Sequence, residues 1–310
     1  MTSSHDAAAA VPVTSDLPGA GPPGVPASSG KPGKAQPSKR ARLGRNLAAA
    51  IAVGLGLGAV ILTSLLVVRE AFVGVLAVCT AVATWELAGA LRRGADIRVA
   101  LPIVLVGGQA IVWLAWPFGL RGMVIAYAAT VLASLLWRMR AGAAHFVRDI
   151  GASLFVMAYV PLLVGFAVLM TIEPDGVGRI LTFMICVVAS DVGGYASGVI
   201  AGRHPMAPKI SPKKSWEGFA GSQVAGMAAG ALCTEFMLGT PWYLGVLLGA
   251  LMVCTATAGD LVESLVKRDL GIKDMGTTLP GHGGLMDRMD SLLPAAFVAW
   301  AVLGVIVSAA

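Results

Sequence analysis

Charge is what this sequence has least of. Only 13% of its 310 residues are Asp, Glu, Lys or Arg, about half the ~25% of an ordinary soluble domain. That excludes an ordinary soluble enzyme, a disordered protein and a nucleic-acid-binding domain, all of which need a charged surface. Cysteine is also scarce. Cys79, Cys186, Cys233 and Cys254 all fall inside apolar runs and form no CxxC pair. A disulfide framework or a zinc site would need paired spacing in polar loops, so the four read as small apolar residues. No inverted repeat of broken helices is evident, which weighs against a transporter.

Apolar residues are abundant instead, at 56% of the chain with a mean hydropathy of +0.79. Residues 1–42 hold seven of the 17 prolines and no apolar periodicity. Such a segment cannot bury enough surface to offset its ordering entropy, and reads as a disordered cytoplasmic tail. The apolar run that follows begins too late and is too long for a secretory signal. Nine apolar stretches come after it, each near the ~20 residues that cross the hydrocarbon core as a helix. They lie at about 47–68, 70–91, 99–118, 120–137, 149–171, 178–201, 217–237, 242–264 and 289–309. The third and fourth join tightly around Pro117 to Gly122, as in a helical hairpin. The expected fold is an all-α, polytopic membrane bundle of about nine spans. Residues 43–172 would form an N-terminal transmembrane region and residues 173–310 a C-terminal catalytic one.

The net charge of +6 would suggest nucleic acid on a soluble surface, but here the basic residues punctuate apolar runs. With the N-terminus inside, 20 of the 23 Lys and Arg fall on the cytoplasmic side, leaving only Arg69, Arg121 and Arg179 outside. That asymmetry is what the positive-inside rule requires of a correct alternation. The expected location is the cell membrane, with both motif-bearing loops facing the cytoplasm.

Those two loops carry the chemistry. The first follows the sixth stretch and includes Asp191 and the run Ser211-Pro212-Lys213-Lys214-Ser215-Trp216-Glu217-Gly218. Asp191 stands in an apolar helix, where an ionisable residue is expensive without a partner. The lysines and hydroxyls suit phosphate, although topology alone would also account for the lysines. In the second region Asp260, Glu263, Ser264 and Lys267 share one helix stripe by their spacing. Glu263 and Lys267 form a good i,i+4 pair, but Asp260 lies a turn deeper with no local cation. A bound divalent ion would remove the cost, and carboxylate oxygens are the donors Mg²⁺ takes. The glycines around His282 let backbone N–H groups approach an anion. Asp287, at the start of the ninth stretch, is placed to meet Asp260 at the end of the eighth. Together these features point to phosphate chemistry.

The polar string runs Ser264, Lys267-Arg268, Lys273-Asp274, Gly276, Leu279-Pro280-Gly281-His282-Gly283-Gly284, Asp287-Arg288 and Asp290. It resembles the signature of the phosphatidate cytidylyltransferases, also called CDP-diacylglycerol synthases. The Lys213-Lys214-Ser215 run and the Gly259-Asp260-Leu261 stretch with Glu263-Ser264 are similar to that family too, so the resemblance spans roughly residues 180–291. It implies an enzyme that joins CTP and phosphatidic acid into CDP-diacylglycerol and pyrophosphate. It implies metal, Mg²⁺ with room for a second ion, at Asp260 and Asp287, and catalytic roles for these with Ser264, Lys267 and His282. Lys213, Lys214, Ser215, Arg268, Lys273, Gly283, Gly284 and Arg288 would hold substrate. Asp191, Glu263, Asp274 and Asp290 are additional candidates. A CTP-dependent polyprenol or phytol kinase, transferring the γ-phosphoryl group, is the second reading, and a lipid-phosphate transporter the third. No motif fixes an oligomeric state, and a homodimer stays open.

Overall fold

The computed structural model describes residues 54–279 and 283–308. The proline-rich tail, its basic cluster and His282 lie outside the described residues. Among the described residues the architecture is helical, with one small β-hairpin. Helix α1 (Gly54–Val67) leads into α2 (Arg69–Ala95). Then come α3 (Leu101–Met139), α4 (Phe146–Met157), a π-helical turn (Ala158–Leu162), α5 (Leu163–Thr171) and α6 (Gly176–Ala201). Strands β1 (Pro205–Ala207) and β2 (Ser211–Ser215) pair antiparallel. Helices α7 (Trp216–Met237), α8 (Trp242–Asp269), α9 (Met286–Met289) and α10 (Leu292–Ser308) complete the chain. Among the described residues six helical segments are long and apolar enough to cross a membrane, so this is a multi-pass helical membrane protein.

Two of the expected spans are both contained in α3. Gly119 breaks it with φ +58° and ψ −146°, a conformation open essentially to glycine. A Cβ on Gly107 would lie 2.1 Å from the Thr130 side chain. In a straight helix those residues would be about 35 Å apart at 1.5 Å per residue. The chain therefore folds back on itself as a hairpin. The fifth span is continuous through the π turn at Pro161, whose missing N–H and ring disturb the regular ladder.

Glycine sets the spacing of α6, α7 and α8. A Cβ on Gly249 would stand 2.2 Å from the Gly226 carbonyl oxygen, and one on Gly245 would stand 2.3 Å from that of Gly230. In lipid, apolar area gives a helix no preference for another helix over solvent, so such close backbone contact carries the association. One apolar cluster is built mainly from α2, α3, α4 and α5 with the loop before α9. A second joins α1, α6, α8 and α10.

Hydrogen bonds sort the loops into two ends. At one, Arg148 donates to the Asp96 carbonyl (2.9 Å), Arg93 to Met275 (2.8 Å) and Arg268 to Ile210 (3.3 Å). At the other, Arg69 donates to the Glu173 and Pro174 carbonyls (3.0 Å each). The basic loops counted together from the sequence thus meet one another. Arg138 departs from a simple topology anchor: it is buried and forms a 2.6 Å ion pair with the buried Asp149.

Candidate active site

The site begins with how each loop is held. Ser215 caps α7, accepting from the Gly218 N–H at 3.1 Å, as a serine at that position should. The cap ends β2, so the hairpin delivers Lys213 and Lys214 toward α6 and α8. A hairpin was not expected there; a run containing Pro212 and two lysines reads as loop until its antiparallel partner Pro205–Ala207 is known.

Beneath the hairpin lies a polar cavity of about 540 Å³, within the usual range of ligand sites. Its wall combines α6, β2, α7, α8 and the turn at α9. Among the described residues it carries five carboxylates (Asp191, Asp260, Asp274, Asp287, Asp290) and four cations (Lys213, Lys214, Lys267, Arg288). The two motif regions, separated in sequence, therefore face one space. Ser215 and Ser291 add hydroxyls to it.

Asp260 does find a cation, from far along the chain: Lys214 Nζ lies 2.5 Å from its Oδ2. Ser264 Oγ donates to its other oxygen at 3.4 Å. One turn on, Glu263 has no exposed surface, and Lys267 donates to its Oε2. Its Oε1 is buried with no hydrogen-bond partner. Asp260, Glu263 and Asp290 place one oxygen each within 4.8 Å of one another. Three converging carboxylates, one with an orphaned buried oxygen, are costly as they stand. The set fits a hard divalent cation, whose ligands are oxygens.

The carboxylate that meets Asp260 and Glu263 is thus Asp290. Asp287 faces Lys267 at 3.1 Å and accepts from the backbone N–H groups of Met275 (3.0 and 3.2 Å) and Gly284 (3.0 Å). It closes the loop on itself and orients Lys267. Among the described residues, Arg268 and Lys273 stand outside the cavity wall, Arg268 being hydrogen-bonded to Ile210. Gly283 needs its positive φ of +86°.

Two residues not singled out from the sequence stand next to the site without lining the cavity. Tyr159, in the π turn, donates to the Gly259 carbonyl at 3.3 Å, beside Asp260; π turns often re-aim a side chain at a functional site. Glu86, on α2, is buried and accepts from Thr278 Oγ1 and, at 2.8 Å, from the Met286 N–H. The rule that flagged Asp191, an acid within an apolar helix, would also have found Glu86.

Comparison with known proteins identifies the family. The model of the cytidylyltransferase family matches residues 48–306, which includes every element of the cavity wall. The phosphatidate cytidylyltransferase of Mycobacterium tuberculosis (strain CDC 1551 / Oshkosh) is 46% identical over 306 residues, covering 94% of this chain and 92% of its own. Proteins of the same name from Mycobacterium bovis and Mycobacterium leprae are both 48% identical, over 285 and 279 residues. They cover 87% and 84% of this chain and 92% and 89% of their own. With the match running the length of the transmembrane region and through both motif loops, the chain belongs to the cytidylyltransferase family.

Proposed function

We propose that this protein is a CTP:phosphatidate cytidylyltransferase, transferring CMP from CTP to phosphatidic acid and releasing pyrophosphate. The observation that carries the reading is the cavity in which the Lys213-Lys214-Ser215 hairpin, Asp260 and Lys267 of α8 and the Asp287-Arg288 turn face one another. A triphosphate needs cations and oxygen-bound metal together, and this cavity supplies both kinds of partner. It lies at the end of the bundle where the basic loops meet, which by the positive-inside rule is the cytoplasmic end. The N-terminus is then cytoplasmic, CTP has access, and a lipid phosphate in a cell membrane reaches the same level.

In this reading the phosphate oxygen of phosphatidic acid attacks the α-phosphorus of CTP in line. The bond to the bridging oxygen breaks, and pyrophosphate leaves with its electron pair. The nucleophile is already ionised, so no general base is required. Transfers of this kind depend mostly on positioning and charge neutralisation. Lys213, Lys214 and Arg288 neutralise phosphate charge from the cavity wall, and Lys267 does so from the α8 stripe. Asp287 holds Lys267 at the turn, and Ser264 orients Asp260. Asp260, Glu263 and Asp290 would hold Mg²⁺, which when bound supplies Lewis-acid stabilisation of phosphate oxygens. Asp287, a metal ligand by the family resemblance, would join that set on exchanging Lys267 for an ion.

The test uses purified protein in mixed micelles with phosphatidic acid, Mg²⁺ and CTP labelled on either the α- or the γ-phosphate. Recovery of α-label alone in the lipid phase, with pyrophosphate released, is the expected result. Transfer of γ-label to an added polyprenol or phytol would instead identify a kinase. Transfer of neither label, by folded protein, would favour transport.

A further inference from the structure

Between Asp269 and Met286 the described chain has no helix and only the isolated bridge of Leu279 with Gly283. A segment of that length cannot hold a fixed path through its own backbone bonds, because most of its N–H and C=O groups have no repeating partner. Its fixation comes from side chains reaching in from two directions. From the cavity side, Asp287 accepts from Met275 and Gly284. From α2 comes Glu86, which takes Thr278 Oγ1 on one oxygen and the Met286 N–H on the other. Arg93, two turns further along α2, donates to the Met275 carbonyl at 2.8 Å.

Two glycines of the motif make room for this carboxylate. A Cβ at Gly276 would lie 2.2 Å from Glu86 Oε1, and its three nearest atoms all belong to Glu86. A Cβ at Gly284 would lie 2.7 Å from Glu86 Oε2 and 2.8 Å from Asp287 Oδ2. The two acids thus both stand against Gly284. Glu86 is 2% exposed, so its charge gains little from water and depends on the loop donors for stabilisation.

We propose that Glu86 is a positioning residue. Held in α2, it fixes both flanks of the glycine-rich turn, and through them sets the Asp287–Lys267 pair in the arrangement that receives the triphosphate. The N-terminal transmembrane region then has a direct part in nucleotide binding, through a side chain that never touches substrate. The inference rests on the proposed transfer reaction for its kinetic readout and on the loop's own geometry for a second, independent one.

Glu86→Gln keeps the volume but offers only one acceptor oxygen to two donors. It is expected to lower kcat/KM for CTP by about ten- to hundredfold, the rate equivalent of a hydrogen bond to a charged group. KM for phosphatidic acid and the thermal unfolding midpoint should stay near the wild-type values, which a general structural defect would not allow. Thr278→Val, at an exposed position on the other side of the same bond, should lower the same parameter by less. Combined with Glu86→Gln it should add little, because both remove one interaction. Amide hydrogen exchange across residues 275–286 should quicken in Glu86→Gln. Folded Glu86→Gln protein with wild-type kcat/KM for CTP and unchanged exchange overturns the proposal. If Glu86→Gln does not fold, wild-type kinetics in Thr278→Val overturns it. Should the wild-type protein transfer no nucleotide at all, the proposed reaction fails, and the exchange measurement still decides whether Glu86 holds the turn.

Discussion

At the scale of single residues, the site shows how much of a charge's environment comes from distant sequence. Asp260 has no cation within a helical turn, yet Lys214 reaches it from β2 at 2.5 Å. Glu263 and Lys267 pair as their spacing suggests, but the pair lies against Asp287 and beside Asp290 rather than on a solvated face. Such a cluster is unstable without further compensation, which gives the metal assignment a specific test. Asp290→Asn is expected to raise the Mg²⁺ concentration for half-maximal transfer by about tenfold or more, on the scale of losing a supporting group at a metal site. Titrating activity with Mg²⁺ after chelation measures it directly. An unshifted curve would remove Asp290 from the ion's surroundings. From the sequence, the Asp of the Asp-Arg pair is expected to meet Asp260, but its neighbour three positions on is the one that groups with Asp260 and Glu263. A four-residue helix ends just before Asp290, and no periodicity rule resolves a segment that short.

Among the helices, those around the cavity depend on backbone approach more than on side-chain interlock. Gly226, Gly230, Gly245 and Gly249 bring α7 against α8, which keeps Lys214 within reach of Asp260. Gly249→Val would push a branched side chain into the Gly226 carbonyl, so the helices must separate. Overpacking of this kind typically costs about 1–3 kcal/mol. The expected outcome is a lower unfolding midpoint in detergent together with a loss of transfer activity. Activity retained in full at an unchanged midpoint would show that the spacing tolerates a side chain. The apolar stretches announced these helices well, since length and hydropathy suffice to identify a span. They also marked the turn near Pro117, where Gly119 alone can take the required backbone angles. The β-hairpin was not legible: its strands are short, polar and interrupted by proline, and they exist because Ser215 and the α7 N-terminus anchor them.

Over the whole molecule, the sorting of loops into two ends makes the orientation testable. In a background without native cysteines, Pro174→Cys and Lys209→Cys place labels at opposite ends of the bundle. A membrane-impermeant maleimide should label the first in intact cells and the second only after permeabilisation. The reverse pattern would put the cavity on the outer face, away from CTP, and would defeat the proposed reaction.

The amino-acid sequence by itself determined that this is a helical membrane protein, roughly where its spans fall and which basic loops share an end. Those properties follow from composition, from the length of apolar runs and from charge asymmetry, all of which act locally or additively along the chain. Only the tertiary structure decided that Asp290 joins Asp260 and Glu263, that Lys214 answers Asp260, and that Glu86 crosses from α2 to hold the glycine-rich turn. Each of these pairs residues far apart in sequence, or in a break between helices. Their meeting depends on how closely the helices pack, and in lipid that distance is set by which glycines happen to face each other.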